Sequence, residues 1–343
     1  MPLRPPIDGI DAEGVFGVQT LGDGAALRAA LDQPGVRNVV VIGGGYIGLE
    51  LAEAAKSRGF SVTVVDLTET PVSTFDPDIG QFLADAIRGL GIDLVLSDGA
   101  SAVETTDGRA SAVHTKSGRV LPADVVVLGL GVRPNTALAA AADIPIGASG
   151  GIETDRRMHT PVEGVWAAGD CVESLHRLSG RRVVVALGTH ANKQGRVVGI
   201  NIGGGYATFP GVIGTAVTKV CDLEVARTGL SEKEATEAGF RFISTSVDST
   251  TRAGYFPGAR PIRVKMIAER RFGRLLGAQI VGREGAAKRI DVLATAVWNE
   301  MTVAEVLSLD LSYAPPFAPV WDPVLIAARK SFEAVEAAGG GPA

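Results

Sequence analysis

The hydrophobic pattern is most regular near the start of the chain, where a strand, a turn, a helix and a second strand follow one another. Val39–Ile42 is a continuous apolar run of strand length. After a glycine-rich turn, Ile47, Leu51 and Ala55 recur at helical spacing, and residues 60–65 form the next apolar run. This succession predicts a Rossmann-like α/β unit at the start of the fold.

The same reading predicts further helices and strands along the chain. Helical patterns cover residues 23–31, 78–90, 189–201 and 285–301. Strand patterns cover residues 92–96, 124–128, 165–168, 215–226, 240–248, 262–269 and 274–282. Turn residues at 107–109 and 117–119 predict a small antiparallel meander between the third and fourth strands. The last third of the chain, with strands followed by helices, is typical of an α+β domain.

The glycines after the first strand match the spacing Gly-x-Gly-x-x-Gly of dinucleotide-binding folds. Gly43 permits the tight turn, Gly45 lets the backbone approach a pyrophosphate, and Gly48 lets the helix pack closely on the strand. Glycine clusters also serve in plain turns, but here the strand and the helix that the motif requires are both present. The positions between these glycines, which we expect to contact the same cofactor, are Gly44, Tyr46 and Ile47.

Asp66 indicates which nucleotide this turn binds. It ends the second apolar run, about 20 residues beyond the glycines, where an acid accepts hydrogen bonds from a ribose. Because a carboxylate repels a 2′-phosphate, Asp66 favours NADH over NADPH.

Two later strands also end in glycine. Gly129 and Gly131 follow a buried strand, at the carboxyl end where open α/β sheets bind ligands; taken alone, they are equally compatible with a simple turn. Gly169 and Asp170 follow an apolar strand, and an acid there suits a ribityl or ribose hydroxyl, although this pair is common in ordinary turns.

Composition narrows the function classes. A length of 343 residues suggests two or three domains, and a net charge of −5 without a basic block argues against nucleic acid and anionic membranes as partners. No apolar run is long enough to span a bilayer and no signal peptide is visible, so we expect a cytoplasmic protein. Cys171 and Cys221 lack the spacing of a redox pair and are expected to be reduced structural thiols, and the scattered histidines predict no metal site.

Four motifs occur in an order that resembles the FAD-dependent pyridine nucleotide-disulfide oxidoreductases, and within them the coenzyme A-disulfide reductase and NADH oxidase branch. They are Gly43–Glu50, Gly129–Asn135, Thr160 leading to Gly169-Asp170, and Tyr313–Pro316. The resemblance implies an NAD(P)H-binding domain at 36–132, inserted in a partial FAD-binding domain at 1–35 and 133–209, and an α+β dimerisation domain at 210–330. A glycine-rich tail at 331–343 is expected to be disordered.

The resemblance also implies roles for single residues. Glu50 would lie near the nicotinamide, and Tyr313, the one catalytic candidate, would approach the partner subunit's active site in a homodimer formed through residues 210–330. The residues implied to contact FAD are Thr160, Gly169 and Asp170 on the ribityl and pyrophosphate side, and Leu187 and Gly188 beside the isoalloxazine ring.

The sequence departs from the family in one respect. The family begins with an FAD-binding Gly-x-Gly-x-x-Gly and a redox cysteine, whereas this sequence has one such fingerprint, and neither Cys171 nor Cys221 matches the redox position. We therefore expect a chain that lacks the N-terminal part of the FAD domain, with impaired FAD binding. Two functions stay open: an oxidoreductase that passes hydride from NADH through FAD to a disulfide or O2, and a non-catalytic NADH-binding, dimerising module.

Overall fold

A computed structural model describes residues 2–341. The strands, in chain order, are β1 (Val15–Gly17), β2 (Asn38–Ile42), β3 (Ser61–Val65), β4 (Asp93–Val95), β5 (Ala100–Thr106), β6 (Arg109–Thr115), β7 (Val120–Pro122), β8 (Val125–Leu128), β9 (Ser174–Leu175), β10 (Arg182–Val183), β11 (Ala216–Val220), β12 (Leu223–Gly229), β13 (Phe242–Thr250), β14 (Pro261–Glu269) and β15 (Leu275–Gly282). The helices are α1 (Leu21–Leu31), α2 (Tyr46–Ser57), α3 (Pro77–Gly89), α4 (Ala137–Ala141), α5 (Gly188–Ile202), α6 (Glu232–Glu237), α7 (Ile290–Trp298), α8 (Val303–Leu307) and α9 (Pro323–Ala337).

The first domain is built on a parallel sheet in the order β1-β8-β2-β3-β4. Alternate residues of β2 face opposite sides, as a pleated strand requires. Val39 and Val41 pack in the core that includes α1, α2 and α3, whereas Val40 and Ile42 pack in the core that includes the antiparallel β5-β6-β7 meander. Both faces of β2 are therefore covered, which explains its continuous apolar sequence.

A second, smaller segment between the two sheet domains carries little regular structure. It contains α4, the β9-β10 hairpin and α5, packed on a core of its own that includes Val172, Val197 and Phe209. The C-terminal domain is an antiparallel sheet in the order β11-β12-β15-β14-β13, covered by α7, α8 and α9. The α/β and α+β fold class that the sequence predicted is confirmed.

The structure differs from two of the predicted boundaries. Residues 1–35 were assigned to the FAD-binding part, but β1 pairs in parallel with β8, and Leu27 and Leu31 of α1 pack in the core of the parallel sheet. The strand β1 and the helix α1 therefore belong with the parallel sheet. The disordered tail predicted from residue 331 is helical to Ala337, because Ser331 and Val335 are buried against the C-terminal domain.

One predicted strand is a hairpin. Residues 215–226 form β11 and β12, joined by a turn in which Cys221 has a φ of +54°. None of the helices in residues 2–341 is long and apolar enough to cross a lipid bilayer.

Candidate functional site

The turn between β2 and α2 has the close packing that its glycines allow. Gly43 has a φ of +107°, and a Cβ there would collide with the carbonyl of Gly129 at the end of β8. A Cβ on Gly48 would collide with the carbonyl of Gly43. These glycines bring the start of α2 against the ends of β2 and β8.

Gly45 has a different environment, which is open. No atom lies within 4 Å of the position that its Cβ would occupy. Gly45 is the N-cap of α2, and no side chain caps this helix. The N-terminus of α2 therefore presents backbone N–H groups and the positive end of the helix dipole to open space, the arrangement that accommodates a phosphate.

Asp66 organises the glycine turn. Its Oδ2 accepts a hydrogen bond from the N–H of Gly44, and its Oδ1 accepts from the N–H and the hydroxyl of Thr68, at 2.8 and 2.6 Å. Oδ1 already accepts two hydrogen bonds and Oδ2 accepts one, so Oδ2 keeps one lone pair for a ribose hydroxyl. The structure thus brings together the acid and the glycines that the sequence predicted as one site.

Tyr46, the first residue of α2, contacts the loop between β3 and α3. Its hydroxyl lies 3.1 Å from the hydroxyl of Thr74 in the loop between β3 and α3. Burial raises the pKa of Tyr46 above its ordinary value of 10.0, so the phenol stays protonated at neutral pH. The side chain of Tyr46 is therefore uncharged where it lies beside the glycine turn.

A cleft of about 840 Å³ joins the glycine turn to the middle segment. The cleft is lined by Ile47 of α2 and by Asp170, Gly188 and Ala191 of the segment between the two sheet domains. Residues 132–135, which follow Gly131, complete the lining. Four predicted nucleotide-binding elements therefore meet at one cleft: the start of α2, residues 132–135, the Gly169-Asp170 turn and the start of α5. The first and the last of these are more than 140 residues apart in sequence.

The Gly169-Asp170 turn is fixed from behind by α5. The N–H of Gly169, whose φ is +91°, donates to Gln194 Oε1 at 2.7 Å, and Gln194 Nε2 donates to the Ser174 hydroxyl at 2.9 Å. Gln194 is 1% exposed, so both of its bonds are shielded from water. Asp170 itself is exposed at the cleft, where its carboxylate is able to accept hydrogen bonds from a ligand's hydroxyl groups.

The helix α5 begins at the same cleft. Its N-cap, Leu187, makes no side-chain cap bond, and Gly188 and Thr189 are exposed. Burial, reinforced by the nearby Lys193, lowers the pKa of His190 below 6.5, so this imidazole is neutral at pH 7. The positive end of the helix dipole therefore adds positive potential at this wall without a charge on His190.

Three of the predicted site residues lie elsewhere. The hydroxyl of Thr160 donates to the Val165 carbonyl at 3.0 Å, and Thr160 lines a separate cavity of about 510 Å³. Glu50 accepts a hydrogen bond at 3.0 Å from Thr218 of the C-terminal domain. Tyr313 is half-exposed on the C-terminal domain, where a hydrogen bond with Tyr255 raises its pKa above 10.0.

Neither cysteine has the properties of an activated thiol. Both are free, and burial raises the pKa of Cys171 and of Cys221 above the ordinary value of 9.0. Cys171 lines the cleft, and its thiol donates to the Ala168 carbonyl at 3.5 Å. Within residues 2–341, no group of three or more His, Cys, Asp or Glu side chains is arranged to hold a metal ion.

Sequence reasoning missed Gln194 and Thr74. Gln194 belongs to a polar helix with no motif that singles it out, and Thr74 lies in a loop whose only marked residues were prolines. In the sequence, Gln194 is marked only by its position on the predicted helix, six residues after Gly188. That position does not distinguish it from its exposed neighbours.

Both the sequence and the structure of the chain are similar to known proteins. A family model described as pyridine nucleotide-disulphide oxidoreductase matches residues 1–195, and the dimerisation domain of the same family matches residues 215–323. The NAD(P)H coenzyme A polysulfide/persulfide reductase of Pyrococcus horikoshii is 40% identical over 329 residues, which cover 96% of this chain and 73% of that protein. The NADH oxidase of Methanocaldococcus jannaschii is 35% identical over 333 residues, which cover 97% and 73%.

The structural comparison agrees. The NAD-dependent persulfide reductase from A. fulgidus matches with a TM-score of 0.94 at 39% identity, over 98% of this chain and 62% of that one. The chain thus spans about three-fifths of that reductase's length.

Proposed function

Because the chain belongs to the pyridine nucleotide-disulphide oxidoreductase family, we propose that it is an FAD-dependent NADH oxidoreductase whose final acceptor is a small disulfide-type compound or O2. The observation that carries this proposal is the cleft between Ile47 and Gly188. Its lining contains Ile47 from the uncapped start of α2, which we call the first wall, and Gly188 from the uncapped start of α5, the second wall. Two uncapped helix N-termini at one cleft suit two anionic, electron-rich cofactors.

NADH is the ligand of the first wall. The N-terminus of α2 faces its pyrophosphate next to Gly45, where the absence of a side chain leaves room. Asp66 accepts hydrogen bonds from the adenosine ribose, and its carboxylate disfavours the 2′-phosphate of NADPH. This is the basis for proposing NADH as the preferred donor.

The second wall fits a flavin. Asp170 accepts hydrogen bonds from ribityl hydroxyls, Gln194 holds the Gly169-Asp170 turn in place, and the start of α5 stabilises negative charge next to Gly188. When bound, FAD supplies the redox chemistry, taking a hydride from NADH and passing two electrons to the acceptor.

FAD is held less tightly than NADH by this chain. In residues 2–341, the NADH wall belongs to a five-stranded parallel sheet, whereas the flavin-side segment is ordered by the two-stranded β9-β10 hairpin and a small core. Fewer fixed groups are therefore available to hold the second cofactor.

The oligomeric state proposed is a homodimer through residues 210–330, which contain the dimerisation domain. Five large apolar side chains of that domain are 47–78% exposed, and exposed apolar surface is a feature of interaction sites. They are Tyr255, Tyr313, Phe317, Val320 and Trp321. Tyr313 would approach the partner subunit's cleft, and a cytoplasmic location would give access to NADH.

Binding of NADH to the purified chain tests this proposal. Calorimetry should show binding that Gly45→Val and Asp66→Ala each weaken about tenfold or more, since one fills the open space and the other removes an acceptor. Gly24→Val is the matched control, because Gly24 also has open space around its Cβ position but lies in α1. Equal affinity in all four proteins would reject the assignment of this site.

A further inference from the structure

The loop of residues 68–76, between β3 and α3, is bonded directly to the nucleotide turn. The N–H of Val72 donates to the Gly44 carbonyl at 2.9 Å, and the Thr74 hydroxyl lies 3.1 Å from that of Tyr46. Val72 has a φ of +51° although it is β-branched, a conformation that such residues rarely adopt. Surrounding contacts must therefore hold the 68–76 loop in place.

The C-terminal domain supplies those contacts. Arg227 of β12 donates from its guanidinium to the Thr74 carbonyl, to the Gly229 carbonyl at 2.9 Å, and to the carboxylate of Glu234. Its side chain is 7% exposed. Arg227 is thus a buried charge, fixed within its own domain, with one donor directed to the 68–76 loop of the other domain.

The end of the loop has a separate attachment. The N–H of Asp76 donates to Gln279 Oε1 at 2.9 Å, and Gln279 Nε2 donates to Asp76 Oδ2 at 2.7 Å. Lys265 Nζ lies 3.3 Å from the same carboxylate oxygen. These bonds join the two domains without Arg227, so the junction between the domains does not depend on that arginine alone.

We propose that Arg227 is a positioning residue for NADH binding, acting through Thr74 on Tyr46 and through the same loop on Gly44. Neither Tyr46 nor Gly44 is hydrogen-bonded to Arg227, and the effect passes through the 68–76 loop. Loss of Arg227 removes the charged donor from the Thr74 carbonyl and lets the loop relax from the strained conformation at Val72. The backbone N–H groups at the start of α2 then lose their fixed orientation, and NADH binds less tightly.

This inference rests on the proposed function, because it concerns the affinity of the same site for NADH. It also predicts a pattern that a purely structural role does not. If Arg227 served stability alone, its removal would lower the unfolding midpoint and leave the NADH dissociation constant of the folded protein unchanged. A positioning role changes the dissociation constant in protein that remains folded.

The test compares five variants of the full chain with the wild type, with NADH as the probe in calorimetry and thermal unfolding measured in parallel. Arg227→Met keeps the length of the side chain and removes its donors, and we expect roughly tenfold weaker binding. Arg227→Lys retains the charge and should recover part of the affinity. Thr74→Val removes the hydroxyl next to Tyr46 with little change of shape, so it tests the same path where Arg227→Met fails to fold.

Arg263→Met is the matched control. Arg263 is paired with Asp248 at 2.7 and 2.8 Å and lies 4.8 Å from the ring of Phe82 on α3, so it also bridges the two domains. It has no hydrogen bond or ion pair to the 68–76 loop. We expect its NADH dissociation constant to stay within about twofold of the wild-type value.

A double variant of Arg227→Met and Thr74→Val gives the sharpest result. If both residues act along one path, the combined loss of affinity is smaller than the product of the two single losses. Full multiplication of the two effects, or unchanged NADH affinity in a folded Arg227→Met protein, would overturn the inference. If the wild-type chain itself binds no NADH, the proposed function fails instead, so the two failures are distinguishable.

Discussion

Lys265 Nζ lies 3.3 Å from Asp76 Oδ2, and the two side chains are 3% and 2% exposed where the parallel sheet meets the antiparallel sheet. The same ammonium group lies 2.5 Å from Asp78 and 2.7 Å from Glu232. One buried cation therefore joins carboxylates from both domains. A charge in such a position is costly unless its partners are present, which makes the domain junction sensitive to single substitutions.

Lys265→Met should destabilise the folded chain by about 3–5 kcal/mol, because it leaves the buried carboxylate of Asp76 without its cation. The free energy of unfolding in urea measures this loss. Lys233→Met is the control, since Lys233 is exposed on α6 and its loss should change stability by less than about 0.5 kcal/mol. Similar small effects in both variants would contradict the role given to Lys265.

The junction should also weaken in acid. Burial alone would raise the pKa of Glu234, but the Arg227 guanidinium and the N–H of Ser231 outweigh it and hold the pKa below its ordinary 4.5. Because the pKa is lower in the folded state, this carboxylate stabilises the fold fully above pH 4.5, and the gain is lost as the pH falls through the folded value.

The measurement is the unfolding free energy of the wild type and of Glu234→Gln at about pH 7 and about pH 3. The wild type should be the more stable of the two at the higher pH, and the difference should shrink in acid. A difference that stays constant between the two pH values would show that ionised Glu234 makes no contribution. Burial raises the pKa of Asp76, and a carboxyl with a raised pKa in the folded state favours folding in acid, which is opposite to the effect of Glu234. The comparison with Glu234→Gln separates the contribution of Glu234 from that of Asp76.

Gly48→Ala should destabilise the protein although it replaces a helical glycine. In an exposed helix this change stabilises by about 0.5–1 kcal/mol, and Gly24→Ala in α1 should show that gain, since nothing lies within 4 Å of its Cβ position. At Gly48 the new Cβ meets the Gly43 carbonyl, and we expect a loss of about 1–3 kcal/mol together with weaker NADH binding. Denaturant unfolding of both variants checks the opposite signs; a gain at both positions would rule out the close packing at Gly48.

Gln194→Leu should weaken the retention of FAD. It removes the acceptor of the Gly169 N–H and a donor to Ser174, and an unsatisfied buried polar group costs about 1–3 kcal/mol. Flavin absorbance after desalting, at equal protein concentration, measures the retained cofactor. Asn192→Leu on the exposed face of the same helix is the control, and equal retention in the two variants would count against Gln194 as the support of this turn.

Local chemistry explains what the sequence predicts well. Gly43, Gly48 and Asp66 were identifiable because their turn, packing and strand-end requirements lie within one short segment. Arg227 and Lys265 were not, because their partners Thr74 and Asp78 in the other domain are 153 and 187 residues away and no spacing rule connects them. The short strand β1 was misassigned for the same reason: its pairing with β8 is long-range.

Transfer of electrons from NADH to flavin in this chain is the central claim, and an anaerobic titration tests it most directly. The purified chain is supplied with FAD, unbound flavin is removed, and NADH is added while the flavin absorbance is followed. We expect the absorbance to fall in proportion to the NADH added, and we expect Gly45→Val to require much more NADH for the same change. Flavin bound to the protein but left oxidised by excess NADH would contradict it.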